Sequence, residues 1–171
     1  AKALEIITSD HSLNFSTRKV TLSTVGLVPE KLELSSLFPI KLAVSLHAAD
    51  NETRSRIMTI NRRYPLEEMM EACRQLELPR RQRITFEYLL LAGVNDSSAD
   101  ARKLAKLLKG LRAKINLIPF NEYPGSPFKR PSPNRIEDFQ KILQEKHYTA
   151  TVRQSRGAGI MAACGQLSHC H

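Results

Sequence analysis

The sequence contains no run of 18 apolar residues, so it offers no membrane-spanning helix. Its start, Ala1-Lys2-Ala3-Leu4-Glu5, has no basic segment followed by an apolar stretch. No secretory leader is therefore visible, and a cytoplasmic location is the expectation. Neither a GxGxxG nor a GxxxxGK(S/T) pattern occurs, which removes the usual glycine-built phosphate cradles. Cysteine is scarce and odd in number: Cys73, Cys164 and Cys170 argue against a secreted disulfide framework. Internal repeats and low-complexity linkers are also lacking. The 171 residues therefore read as one domain or as a piece of a larger one.

What is present is a globular composition, 42% apolar and 25% charged. A chain of this size buries roughly 70% of the surface its unfolded form exposes. Twenty-six Lys and Arg against 17 Asp and Glu leave a net charge of +9. That excess suits a phosphate-bearing partner, and it equally suits a solvated basic surface. Short apolar, β-branched runs at 19–25, 40–46, 83–91, 115–120 and 149–152 predict strands. Helical spacing joins Leu66, Met69, Met70, Cys73 and Leu76, with Pro65 suited to a first helical position and Pro79 barring continuation. A second stripe, Ala101, Leu104, Ala105, Leu108 and Leu111, has Ser98 as its expected N-cap. A third, Ile136, Phe139, Ile142 and Leu143, opens at Ser132-Pro133. A shorter helix is expected over 52–60. Strand and helix alternating in this rhythm imply an α/β fold of parallel βαβ units, either a doubly wound sheet or a barrel. The run 40–46 suits a strand covered on both faces.

In either architecture ligands gather at the carboxyl ends of the strands. There the sequence places Ser23, then Ser45-Leu46-His47, then Glu87 and the stretch Ala92-Gly93-Val94-Asn95-Asp96, then Asn121. Hydroxyl, amide and imidazole groups from successive strands suit a polar small molecule such as a nucleoside or amino acid. Each also has a plainer reading. Ser23 satisfies a turn, His47 is a hydrogen-bonded structural imidazole, Asn121 caps a turn, and Glu87 is an internal acceptor. Cys73 lies on an apolar stripe and reads as core. Cys164 sits between small residues in Ala162-Ala163-Cys164-Gly165, downstream of Arg153 and Arg156, which favour a thiolate. It reads as a nucleophilic or carrier cysteine, or as an inert small residue. The tail His169-Cys170-His171 matches no common zinc spacing, and no spacing supports a nucleophile system built with His47 and Asp50. Eight arginines lie between Arg54 and Arg83; the doublets Arg62-Arg63 and Arg80-Arg81 are the best candidates for nucleic-acid phosphate.

Taken together, these segments resemble the C-terminal half of the radical S-adenosylmethionine methyltransferases that modify adenine C2 in large-subunit rRNA and tRNA, the RlmN-like family. The resemblance rests on five signatures in order. They are Arg18-Lys19-Val20-Thr21-Leu22-Ser23-Thr24, Ser45-Leu46-His47-Ala48, Ile60-Asn61-Arg62-Arg63-Tyr64-Pro65, Lys114-Ile115-Asn116-Leu117-Ile118-Pro119-Phe120-Asn121, and Arg156-Gly157 with Ala162-Ala163-Cys164-Gly165-Gln166-Leu167. The resemblance implies part of a radical-enzyme (β/α) barrel. It also implies that Ser23, Ser45, Leu46, His47 and Asn121 contact S-adenosylmethionine, and that Cys164 is the cysteine that is methylated and then carries the carbon to adenine. Adenine C2 is not nucleophilic, so polar methyl transfer fails there; radical chemistry supplied by the cofactor answers the difficulty.

The same resemblance implies parts that this sequence does not contain. The CxxxCxxC that holds a 4Fe–4S cluster, the Gly-Met-Gly-Glu-Pro strand end, the resolving cysteine and the small N-terminal RNA-binding domain are all expected upstream. The expected partners are thus rRNA, tRNA and the missing N-terminal half, and the isolated chain is expected not to cleave S-adenosylmethionine. Gly159 stands where the family usually has an acid, and Thr59 where proline is frequent. The alternatives are the sibling chemistry at adenine C8 and a non-catalytic RNA-binding half-barrel.

Overall fold

A computed structural model describes residues 2–25 and 40–153. All five apolar runs become strands: β1 Thr21–Thr24, β2 Lys41–Ser45, β3 Ile84–Leu90, β4 Ala113–Pro119 and β5 Thr149–Val152. They are parallel and stand in one sheet in sequence order. Around them lie α1 Lys2–Thr8, α2 Asn51–Ile57, α3 Leu66–Gln75, α4 Ser98–Leu107 and α5 Pro133–Glu145, with tighter 3-10 turns at Thr17–Lys19 and Thr59–Arg62. No helix of the described residues is long and apolar enough to cross a membrane.

Strand order decides between the two architectures the sequence leaves open. A doubly wound sheet reverses its direction of growth, which puts helices on both faces. Here the order never reverses, so crossovers of one hand carry their helices to the same face. The result is an arc of barrel wall. Burial follows from it. Along β3, Ile84, Phe86, Tyr88 and Leu90 are buried while Thr85, Glu87 and Leu89 are half-buried. β4 repeats the alternation with Ala113, Ile115, Leu117 and Pro119 inside. Ile84, Phe86, Tyr88, Leu90, Ala113, Ile115 and Leu117, with Leu42 and Val44, share one core with Met69, Met70 and Cys73 of α3, Leu104 of α4, and Phe139 and Leu143 of α5. The Tyr88 and Phe139 rings meet at 5.3 Å. Burial pushes the Cys73 thiol up to about 12, so it is an inert core residue, as its stripe suggested.

Coverage of β2 on both faces holds only in part. Leu42, Ala43 and Val44 are buried, but Lys41 is exposed and Ser45 half-buried, because among the described residues the helices pack on one face.

Helix starts show where local chemistry outweighs pattern. α4 is capped by Ser97, one residue before the expected Ser98. Asp100 stands three residues beyond Ser97 and closes a reciprocal capping box with it. Pro65 sits just before α3 and not within it. Lacking a side-chain acceptor, it leaves the cap to Asn51, whose Oδ1 accepts the Leu66 N–H at 2.9 Å. The short helix expected over 52–60 is divided. α2 begins after Asp50, which accepts the Thr53 N–H at 2.8 Å, and it stops at Ile57. α5 opens at Ser132-Pro133 as the sequence predicts. α1 has no counterpart in the sequence reading and buries none of its residues.

Replacing Ser97 with Ala should lower stability by about 1 kcal/mol, whereas Ser98→Ala should stay within about 0.5 kcal/mol, as read from urea unfolding midpoints.

Candidate active site

The sheet register builds the site's floor. One row across the strands reads Ser23, Ala43, Thr85, Lys114 and Thr149; the next, towards the carboxyl ends, reads Ser45, Glu87, Asn116 and Thr151. These residues alternate with the core residues and so share the face opposite the helices. It is a polar, half-open surface, with Ser23 exposed and Ser45 and Glu87 half-buried. Of the residues singled out in the sequence, Ser23, Ser45 and Glu87 are brought onto this one face.

His47 and Leu46 turn the chain at the top of β2. Leu46 is wholly buried, and the N–H groups of Leu46 and His47 both donate to the Glu87 carbonyl, at 2.9 and 3.3 Å. His47 adopts a left-handed backbone, φ 60°, uncommon outside glycine. Its Nδ1 accepts the Leu89 N–H at 3.1 Å, which places the ring proton on Nε2. Burial, with a smaller contribution from the nearby Arg54 cation, holds its pKa down at about 4. His47 is therefore neutral near pH 7, a strand-bridging imidazole whose ring also interacts with the Glu87 backbone. Asp50 is spent elsewhere, on the α2 cap and on Lys103 at 3.2 Å. His47 and Asp50 do not form a proton-relay pair.

Asn95 completes the bridge between β2 and β3. Its Nδ2 donates to the His47 carbonyl at 2.7 Å and to the Leu89 carbonyl at 2.6 Å, and its Oδ1 accepts the Leu91 N–H. Asn121, at the top of β4, accepts from Arg130 Nη1 at 3.1 Å. The same nitrogen donates to the Phe120 carbonyl, tying residues 120–131 into a loop where Phe120 packs near Tyr123 and Phe128. Asn121 thus stands beside the strand-end face while anchoring its own loop.

The residue that sequence reasoning misplaced is Arg54. Counted there only as one of eight arginines in the stretch 54–83, it is wholly buried. Its guanidinium donates to the carbonyls of Leu46 (3.1 Å), Val25 (3.1 Å), Ser45 (3.4 Å) and Tyr64 (3.2 Å), and to Asn61 Oδ1 (2.7 Å). Burial lowers its pKa from the usual value, yet a guanidinium of that basicity stays charged. Five fixed donors satisfy the carbonyls where β1 and β2 end, groups that no further strand residue reaches. Its spacing from Ile57, on the inward side of α2, is the one sequence signal that sets it apart. Arg62 and Arg63 are exposed.

Two surface cavities, of about 540 and about 530 Å3, lie away from Ser23, Ser45, His47 and Asn121. Among the described residues no three His, Cys, Asp or Glu side chains come together to hold a metal, so the cluster finds no ligands there. Hydroxyl, imidazole and amide groups at adjoining strand ends are of the chemical kind that suits a polar small molecule such as S-adenosylmethionine. Cys164 and the tail His169-Cys170-His171 lie outside the described residues.

No protein-family model matches the chain. Comparison with known proteins is nonetheless decisive about kinship. The chain is 54% identical over 166 residues to the dual-specificity RNA methyltransferase RlmN of Syntrophobacter fumaroxidans, covering 97% of the chain and 48% of that protein. It is 52% identical over 166 residues to the protein of the same name from Geobacter sulfurreducens, covering 97% and 46%. A crystal structure of a radical SAM methyltransferase from Sphaerobacter thermophilus superposes with a TM-score of 0.88 at 49% identity, over 95% of the chain and 48% of that structure. An α/β sheet of this winding, with its polar groups at the strand ends, is a radical S-adenosylmethionine fold. Within that class the chain is similar, over nearly all of its own length, to the RlmN-like methyltransferases. It spans about half the length of the curated relatives it matches.

Two outcomes test the site's architecture. Replacing Arg54 with Met should cost about 3 kcal/mol or more in urea unfolding, because several buried carbonyls lose their only strong donor. Replacing His47 with Asn, which tolerates the left-handed backbone, should flatten the acid limb of the stability profile. The unfolded imidazole takes up its proton near 6.5 and the folded one near 4. The wild-type chain is therefore fully stabilised above the first value and loses stability as pH falls towards the second.

Proposed function

We propose that the chain is the C-terminal half of a radical S-adenosylmethionine methyltransferase that adds a methyl group to adenine C2 in large-subunit rRNA and tRNA. The observation that carries this reading is identity of 52–54%, over nearly the whole chain, to enzymes named as dual-specificity RNA methyltransferases. The cluster-binding half and an N-terminal RNA-binding domain complete the enzyme in this reading. Support for a missing half comes from the edge of the sheet. Among the described residues β1 ends the strand order, and the exposed large apolar residues Ile6, Leu13, Phe15 and Val25 all fall in the segment around it.

Ser23, Ser45, His47 and Asn121 hold S-adenosylmethionine in this proposal, while Leu46, wholly buried with its N–H on Glu87 and its carbonyl on Arg54, anchors the segment between Ser45 and His47. When bound, the cofactor supplies the methyl group and the radical chemistry that an electrophilic ring carbon demands. The chain's own part is positional. Ser23 and Ser45 offer hydroxyls from the polar face, and Asn121 an amide. His47, neutral near pH 7, adds no positive charge beside a sulfonium. Arg54 and Asn95 hold those strand ends in fixed register, so that orientation is settled before the ligand arrives. Cys164 is the carrier that receives a methyl group on its sulfur and passes the carbon to the base.

Peptide mapping of the longer enzyme purified from cells should find an S-methyl group on Cys164. In the longer enzyme, Cys164→Ala should abolish RNA methylation. An unmodified Cys164, with methylation unaffected by its replacement, would overturn the carrier role. Locating the methyl group on the ring by mass spectrometry of the modified RNA separates adenine C2 from C8.

A further inference from the structure

At the end of the sheet opposite the proposed active site lies a second polar feature. The segments that enter β3, β4 and β5 bring Arg80, Arg81, Arg83, Arg112, His147 and Tyr148 together around an open groove of about 530 Å3. A seven-residue strand separates the two ends by about 23 Å. The groove is built and not merely charged. Arg112 donates to the carbonyls of Leu78 (2.6 Å), Pro79 (3.1 Å) and Arg80 (3.1 Å), which pins the loop carrying Arg80 and Arg81 against the start of β4. Arg83 reaches across to Thr149 Oγ1 at 3.1 Å, spanning β3 to β5. The Arg80 and Arg81 side chains are exposed on that fixed loop. Among the described residues the ion pairs lie elsewhere, on Glu71, Asp50 and Glu122. Glu77 and Glu145, the carboxylates nearest along the bounding segments, pair with none of these arginines.

We propose that this groove is a second RNA contact, binding backbone phosphates at a distance from the base that is modified. The choice of RNA rests on the proposed function; the choice of phosphate rests on the groove. Unpaired guanidinium forks match phosphate oxygens in geometry and charge. An open groove lined from three strand entries suits a run of phosphates better than one small anion. Its distance from the strand ends suits a structured RNA, which is large enough to touch both.

The test uses this 171-residue chain and a fluorescein-labelled RNA hairpin, with binding read by anisotropy across a salt series. Relative to wild type, R80A/R81A should weaken binding about tenfold at moderate salt and reduce the log–log salt slope by about 1.5, the share of two phosphate contacts. R102A/K106A removes the same charge from exposed positions on α4 and should leave affinity within about twofold. Circular dichroism should report the same fold for all three proteins. Absence of RNA binding by wild type overturns the proposal. So does an unchanged slope in R80A/R81A, or an equal loss in both double variants, which would reduce the attraction to net charge. The measurement requires no methyl transfer, so it stands or falls separately from the fate of Cys164.

Discussion

Parallel strands added in sequence order by crossovers of one hand can place their helices on one face only, and everything else in this protein follows from that constraint. One face must be apolar, and it is: Leu42, Val44, Phe86, Tyr88, Ile115 and Leu117 meet α3, α4 and α5. The opposite face is released from core packing. Ser23, Ser45, Thr85, Glu87, Asn116 and Thr151 stand on it at no cost to the core. A doubly wound sheet would have buried both faces and left polar groups only at the strand tips. The winding therefore supplies both the rigid wall and the polar surface that a barrel encloses.

The wall is made precise where the strands stop. Parallel strands end with carbonyls pointing past the last register pair, and buried carbonyls need donors. Arg54 supplies them for β1 and β2, Asn95 for β2 and β3, and the His47 imidazole accepts the one N–H of β3 that faces it. The guanidinium is charged and partnered by neutral oxygens, a costly arrangement that persists because each of those oxygens would otherwise be orphaned. This lattice of fixed strand ends is what lets a few hydroxyl and amide groups act as a site. In the proposed function, preorganisation by Arg54, Asn95 and His47 matters as much as the atoms that touch the cofactor.

The two ends of the sheet have separate characters. The carboxyl ends carry the neutral polar groups and the buried cation, sealed among carbonyls. The amino ends carry guanidinium groups on a pinned loop, open to solvent. A charge count of +9 does not distinguish these. One arginine of the stretch 54–83 is architecture, while its neighbours in sequence remain available to a polyanion.

The sequence by itself determined the five strands, the three long helices and the α/β class, because apolar period and proline or serine punctuation are local signals. It also determined kinship, since five ordered signatures are hard to meet by chance. Cap choice escaped it by one residue at Ser97, where a doublet of serines offers two equivalent letters and only the reciprocal bond to Asp100 selects one. Tertiary structure alone decided which face of the sheet is bare, since strand order is a long-range fact absent from any window of residues. It alone made Arg54 the clasp of two strands, because burial depends on what the fold brings overhead and not on the letter. And it set His47 to a neutral ring, because an imidazole's charge is fixed here by desolvation and by the nearby Arg54 cation, neither of which is written in the chain.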